Sequence, residues 1–104
     1  MDYYKQFFDD LWESEPTARY AKFDGKEVRI LIGRISQDYQ AIYGVNIVNG
    51  TKEITLVKGE LGEWKPKPGS GLVIDEKPYK IHQDIPAIDL DPEGVLLKVV
   101  IHPV

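Results

Sequence analysis

The chain has no cysteine among its 104 residues, which excludes a disulfide framework, a thiolate metal site and a cysteine nucleophile together. Histidine is scarce as well. His82 and His102 each lack a carboxylate or second histidine at ligand spacing, so a metal site would have to be assembled from residues far apart in sequence, and none is expected. No run approaches the roughly 20 apolar residues that span a bilayer, and the first residues hold Asp2 but no apolar signal core. Neither secretion nor membrane insertion is expected, and synthesis in the cytoplasm is the simpler assumption. Positive charge is not in excess: 13 Lys and Arg stand against 17 Asp and Glu, a net charge of -4. A phosphate backbone is ordinarily gripped by lysine and arginine clusters, so no direct nucleic-acid contact is expected. The glycines at 59, 62, 69 and 71 form no phosphate-cradling motif, and no nucleotide or other cofactor is implied.

What is present is unevenly distributed. Five of the eleven aromatic residues lie in the first fifteen positions, where Asp2, Asp9, Asp10, Glu13 and Glu15 face Lys5 alone. The rest of the chain is charge-balanced. Tyr4, Phe7, Phe8, Leu11 and Trp12 recur at i, i+3, i+4, i+7 and i+8, the apolar stripe of an amphipathic helix over residues 1–15. Asp2 is a candidate N-cap, and Pro16 ends the helix because the residue before a proline avoids the α region. The acidic residues toward the C-terminal end oppose the helix dipole, and so short a helix is marginal alone, so it needs a surface to lie on.

From residue 17 to 104 the pattern is of short strands separated by turn signals, predicting a mainly β (α+β) protein. A single domain is expected, with the N-terminal helix followed by a small antiparallel β-barrel or sandwich. Asp24-Gly25 centres a first hairpin, with Val28, Ile30 and Ile32 assigned to the core face and Gly33 a candidate bend or bulge. Residues 36–44 show no clean period and read as a mobile loop. Strand character returns at Val45 and Ile47 and, after Asn49-Gly50, at Ile54 and Leu56. Lys58 to Gly71, rich in glycine and proline around Trp64, reads as a connection. A hairpin around Asp75-Glu76-Lys77-Pro78, a turn-rich link over 83–94 and a last strand from Val95 to Ile101 complete the chain.

No catalytic constellation emerges, and no enzyme is expected. Ser70 lacks the spacing of a nucleophile elbow. Asp75-Glu76 and the pair Asp89 and Asp91 fall in turns, where solvated carboxylates are expected for backbone reasons. Asn49-Gly50-Thr51 matches a glycosylation acceptor but reads as a turn. The residues suited to contact are aromatic. Tyr3, Tyr4, Phe7 and Trp12 on the helix, the 36–44 segment with Gln37, Asp38, Tyr39, Gln40 and Tyr43, and Trp64 in the connection are the candidate assembly interface. The helix stripe has two uses, packing on its own sheet or docking a partner, and the expectation favours its own sheet.

Several stretches carry a family resemblance: Phe7-Phe8-Asp9-Asp10-Leu11, Gly44-Val45-Asn46-Ile47, Glu53-Ile54-Thr55-Leu56-Val57, and Leu72-Val73-Ile74 with Tyr79-Lys80-Ile81. In this order, over nearly the whole chain, they resemble the lambda-like head-tail joining proteins of tailed bacteriophages. The chain departs from that pattern at Gly69-Ser70-Gly71, where the family commonly has Gly-Asp, and at Asp75-Glu76-Lys77, where it commonly has a glycine. The resemblance implies a non-enzymatic virion protein, made in the host bacterial cytoplasm and placed in the neck. It would form a ring at the portal and join packaged head to tail, with further copies of itself and the portal, adaptor and tail proteins as partners. A tail terminator or minor tail protein of similar barrel, and a ligand- or peptide-binding β module with Trp64 in a lid, are the alternatives.

Overall fold

The structure, a computed structural model, describes residues 3–14, 16, 18–34 and 49–104. The expectations placed on Asp2 and on residues 36–47, Gln37, Asp38, Tyr39, Gln40 and Tyr43 included, lie outside the described residues. Helix α1 spans Tyr3–Ser14, ending two residues short of Pro16 as its geometry requires. Seven strands follow: β1 Ala18–Phe23, β2 Lys26–Arg34, β3 Lys52–Val57, β4 Gly71–Ile74, β5 Lys77–Ile81, β6 Ile88–Asp89 and β7 Leu96–Pro103. A 3-10 turn, Lys58–Leu61, sits in the connection after β3.

Every pairing is antiparallel, and the sheet order β3-β2-β1-β4-β5-β7 closes through an added β3–β7 pairing into a six-stranded barrel. Closure runs over six residue pairs, from Lys52 opposite Ile101 to Val57 opposite Leu96, and removes the open edges that make small sheets prone to association. β6 adds two residues beside the N-terminal half of β7. Thus the choice left open between barrel and sandwich falls to the barrel.

Local chemistry accounts for the hairpins. Asp24 and Gly25 both have positive φ, 53° and 83°, the two-residue turn whose twist matches that of the strands. The β4–β5 turn is of the same kind but built from Asp75 and Glu76, at φ 50° and 66°. It is shorter than the four-residue turn expected, and Lys77 and Pro78 belong to β5, opposite Ile74 and Val73. Gly33 is neither bend nor bulge, since the β2–β3 register runs unbroken through Gly33 opposite Glu53. Gly50, at φ 89°, has a steric reason to be glycine: a Cβ there would come within 2.8 Å of Pro103 Cγ.

Alternation sorts the side chains into two cores. Inside the barrel lie Val28, Ile30, Ile54, Leu56, Leu97, Val99 and Ile101 with residues of β1, β4 and β5, and Ile32 packs against them. On the outside, Val57 and Leu96 are buried under α1 together with Phe8. Leu31 and Val95, which face away from the barrel interior, join this second core. Outward apolar residues of β2, β3 and β7 thus form the seat of the helix.

The link from β5 to β7 is held by Asp91, which is buried and not the solvated turn carboxylate expected from its position. Its Oδ1 accepts a hydrogen bond from Leu96 N at 2.7 Å, and its Oδ2 accepts from Glu93 N and Val95 N, both at 3.1 Å. Burial alone would push this carboxyl up. The Leu96, Val95 and Glu93 amides and the Lys58 charge outweigh it and hold the group below the ordinary aspartate value of 3.8. A carboxylate with a depressed folded pKa contributes stability above the unfolded value, and that contribution is lost as pH falls through the lower folded one. Thermal melts should therefore fall steeply at acid pH in the native protein. Asp91→Asn should lower the melting temperature near neutrality and flatten that acid limb. A variant that melted like the native protein at pH 7 would remove Asp91 from this role.

Candidate functional site

The helix is the element with surface to spare, because its apolar stripe is wider than the seat it occupies. Phe8, 1% exposed, is its buried anchor, flanked one turn away on each side by the half-buried Tyr4 and Trp12. These i, i+4, i+8 residues form the inner seam against Leu31, Val57, Val95 and Leu96. Tyr3 and Phe7, also four apart, lie outside the seam and are 74% and 53% exposed. The expectation that the stripe packs on its own sheet is met by the seam and not by this outer pair.

What locks the helix at this rotation is Arg29, an outward residue of β2 to which the sequence drew no attention. Its Nη2 donates to Asp9 Oδ1 of α1 at 2.6 Å and to Glu60 Oε2 of the 3-10 turn at 2.6 Å, and its Nε donates to Glu60 Oε1 at 3.2 Å. The guanidinium carbon also lies 5.4 Å from the Phe8 ring centroid and 5.6 Å from that of Trp12, within cation–π range. The Glu60 hydrogen bonds foremost, and those of Asp9, push the Arg29 pKa further up and make the cation permanent. The Arg29 hydrogen bond, followed by that of Lys5, pulls the Asp9 carboxyl below its ordinary value. Asp9 therefore does not weaken the helix as its place in the dipole suggests. It is the helix's tether, braced by Lys5 Nζ at 3.1 Å.

The remaining candidates fall in separate places. Trp12 stacks edge-on against Tyr20 of β1, ring centroids 5.1 Å apart, and Tyr20 is itself half exposed. Trp64 lies away from the helix seam, half-buried with its ring 5.0 Å from that of Phe23 and packed against the barrel core. Tyr3, Tyr4, Phe7, Trp12 and Trp64 thus form two surfaces, one on the helix and one around Trp64. Around the second, Leu61, Trp64, Pro66, Ala87 and Leu97 line a groove of about 360 Å³ with Lys58 and Lys65 at its rim. Lys58 pairs with Asp89 at 2.6 Å.

The barrel also unites the two histidines that sequence spacing kept apart. His82 follows β5 and His102 lies in β7, and the β5–β7 pairing sets their rings edge-on with centroids 5.8 Å apart. His82 Nδ1 accepts from Asp84 N at 3.1 Å. No group of three or more potential metal ligands occurs among the described residues. Burial first, then repulsion from His102, lowers the His82 pKa below 6.5, with Asp84 opposing. Because the folded pKa is depressed, the stabilising contribution is complete above 6.5 and is lost as pH falls through the folded value. Melts at pH 7, 6 and 5 should show a progressive loss that is reduced in His82→Asn, whose amide oxygen can still accept from Asp84 N. Equal slopes for the two proteins would exclude His82 as the titrating group.

No described helix is long and apolar enough to cross a membrane. Comparison with models of protein families, with curated proteins and with solved structures finds no match for this chain.

Proposed function

We propose that this chain is a non-enzymatic virion component that forms a ring at the portal of a tailed phage and joins the packaged head to the tail. The observation that carries the reading is the pair Tyr3 and Phe7, left exposed on a helix that Phe8 and Arg29 otherwise hold firmly to the barrel. A large aromatic surface kept in water on a fixed element is suited to a protein partner, because aromatic anchors on rigid supports lose little conformational entropy on docking. The resemblance to lambda-like joining proteins names the assembly. Further copies of the chain and the portal, adaptor and tail proteins are the partners it implies, with the virion neck as the destination.

A ligand- or peptide-binding module is the second reading, favoured by the groove beside Trp64. Electron microscopy of particles from an induced lysogen lacking this gene separates the readings. DNA-filled heads beside complete, unattached tails are expected. Absent or misshapen tails would move the protein into the tail as a terminator or minor tail protein. Normal infectious particles would discard the virion role and leave the binding module.

A further inference from the structure

The helix and the Trp64 groove are different in kind and complementary in character. The outward side of α1 presents Tyr3 and Phe7 with Asp10 and Glu13, all exposed. The groove offers an apolar floor of Leu61, Trp64, Pro66, Ala87 and Leu97, and Lys65 and Lys67 follow Trp64 on exposed chain. Among the described residues neither lysine has an ion-pair partner. One surface therefore carries exposed aromatics beside carboxylates, and the other an apolar recess where Lys58, Lys65 and Lys67 outnumber the neighbouring carboxylates of Glu63 and Asp89. The helix cannot serve the groove of its own chain, because Asp9 and Phe8 hold it over β2, β3 and β7 through Arg29, Val57 and Leu96.

From this complementarity we infer that the occupant of the Trp64 groove is the Tyr3–Phe7 face of α1 from a second copy of the same chain. The inference rests on the ring-forming role proposed above and names its repeating contact. Phe7 enters the apolar recess while Asp10 and Glu13 meet Lys65 and Lys67. Since the two patches are distinct, each copy gives its helix to one neighbour and its groove to the other. Such a heterologous contact propagates into a closed ring or an open filament. The lysines and carboxylates sit at the rim of the contact, where they steer the encounter and set register while the aromatic burial supplies the attraction.

The absence of cysteine makes the test direct. Gln6→Cys, which keeps Phe7 and lies beside it on the helix, and Lys65→Cys are each made alone, both at exposed positions, and are mixed under mild oxidation at concentrations where the native chain sediments as an assembly. A disulfide dimer that forms in the mixture, and not in either variant alone, is the expected result. Lys65→Glu with Lys67→Glu should raise the concentration needed for assembly about tenfold or more, through like-charge contacts with Asp10 and Glu13. Adding Asp10→Lys and Glu13→Lys to the same chain should restore it. Disulfides between two Gln6→Cys copies would mean that helices pair with helices and would overturn the inference. So would assembly indifferent to the charge reversals, or a native chain that stays monomeric at every concentration. The joining role is judged separately by the particle morphology of the deletion, so this contact can fail while that role stands.

Discussion

Phe8→Ala is expected to cost about 3–5 kcal/mol, the range for removing a buried phenylalanine from a packed core. Phe8 is 1% exposed and is the one buried residue of the described helix. Its loss would leave a cavity lined by Val57 and Leu96 from the barrel and by Tyr4, Trp12, Leu31 and Val95 around them. The barrel interior keeps its own core, which Phe8 does not enter. Loss should therefore begin at the helix. Amide hydrogen exchange is expected to accelerate across Tyr3–Ser14 well before the β3–β7 amides respond, since local opening follows the elements with least burial. A chemical melt gives the total cost. A variant within about 1 kcal/mol of the native protein would mean that the helix is not seated by this side chain, and the fixed aromatic face that supports the proposed function would lose its basis.

The second large effect is expected at Arg29. Arg29→Met retains an unbranched stem against Phe8 and Trp12 but removes the cation shared by Asp9 and Glu60. Charge-assisted hydrogen bonds contribute about 1.5–3 kcal/mol each. The two carboxylates, 27% and 25% exposed, recover part of that from water, so a net loss of about 2–3 kcal/mol is expected. For a chain of this size that lowers the melting temperature by about 10 °C or more. The Asp9 carboxyl should return toward its ordinary value, readable by NMR titration, because its largest stabilising contact is gone. In a double-mutant cycle, Asp9→Asn and Arg29→Met should be coupled by more than about 0.5 kcal/mol. Additive effects would show that the geometry contributes nothing to holding the helix. Together with Phe8→Ala, this variant also tests function: both should weaken assembly by loosening the helix, whereas Asp10→Lys with Glu13→Lys should weaken it with little change in stability.

Much of the fold was legible residue by residue. The alternation of Val28, Ile30 and Ile32, the Asp24-Gly25 turn and the stripe from Tyr4 to Trp12 each act over a few positions. The structure uses the first two as their patterns imply, and it seats the stripe through Tyr4, Phe8 and Trp12 while leaving Phe7 exposed. The departures share a cause. Asp91 looked like a solvated turn residue because its three backbone donors, Glu93, Val95 and Leu96, are oriented by the start of β7. Asp9 looked unfavourable because its counter-charge comes from β2. Leu31 looked like the polar side of its strand because nothing local announces that a helix covers it. Arg29 left one readable trace, an outward cation on a strand whose neighbouring outward residue, Leu31, is apolar, in a chain that begins with an acidic helix.

By itself the sequence determined the kinds of element and their order: one amphipathic helix, strands of period two, and tight turns where aspartate and glycine accept positive φ. These are decided by steric and solvation preferences that act within a turn of helix or a pair of strand residues. Only the tertiary structure decided that β3 meets β7 to close the barrel, that Phe8 and not Phe7 is buried, that Arg29 gathers Asp9 and Glu60, and that His82 faces His102. Each of these joins residues from different elements. Their free energy depends on which surfaces the closed barrel brings together, and no local pattern encodes that.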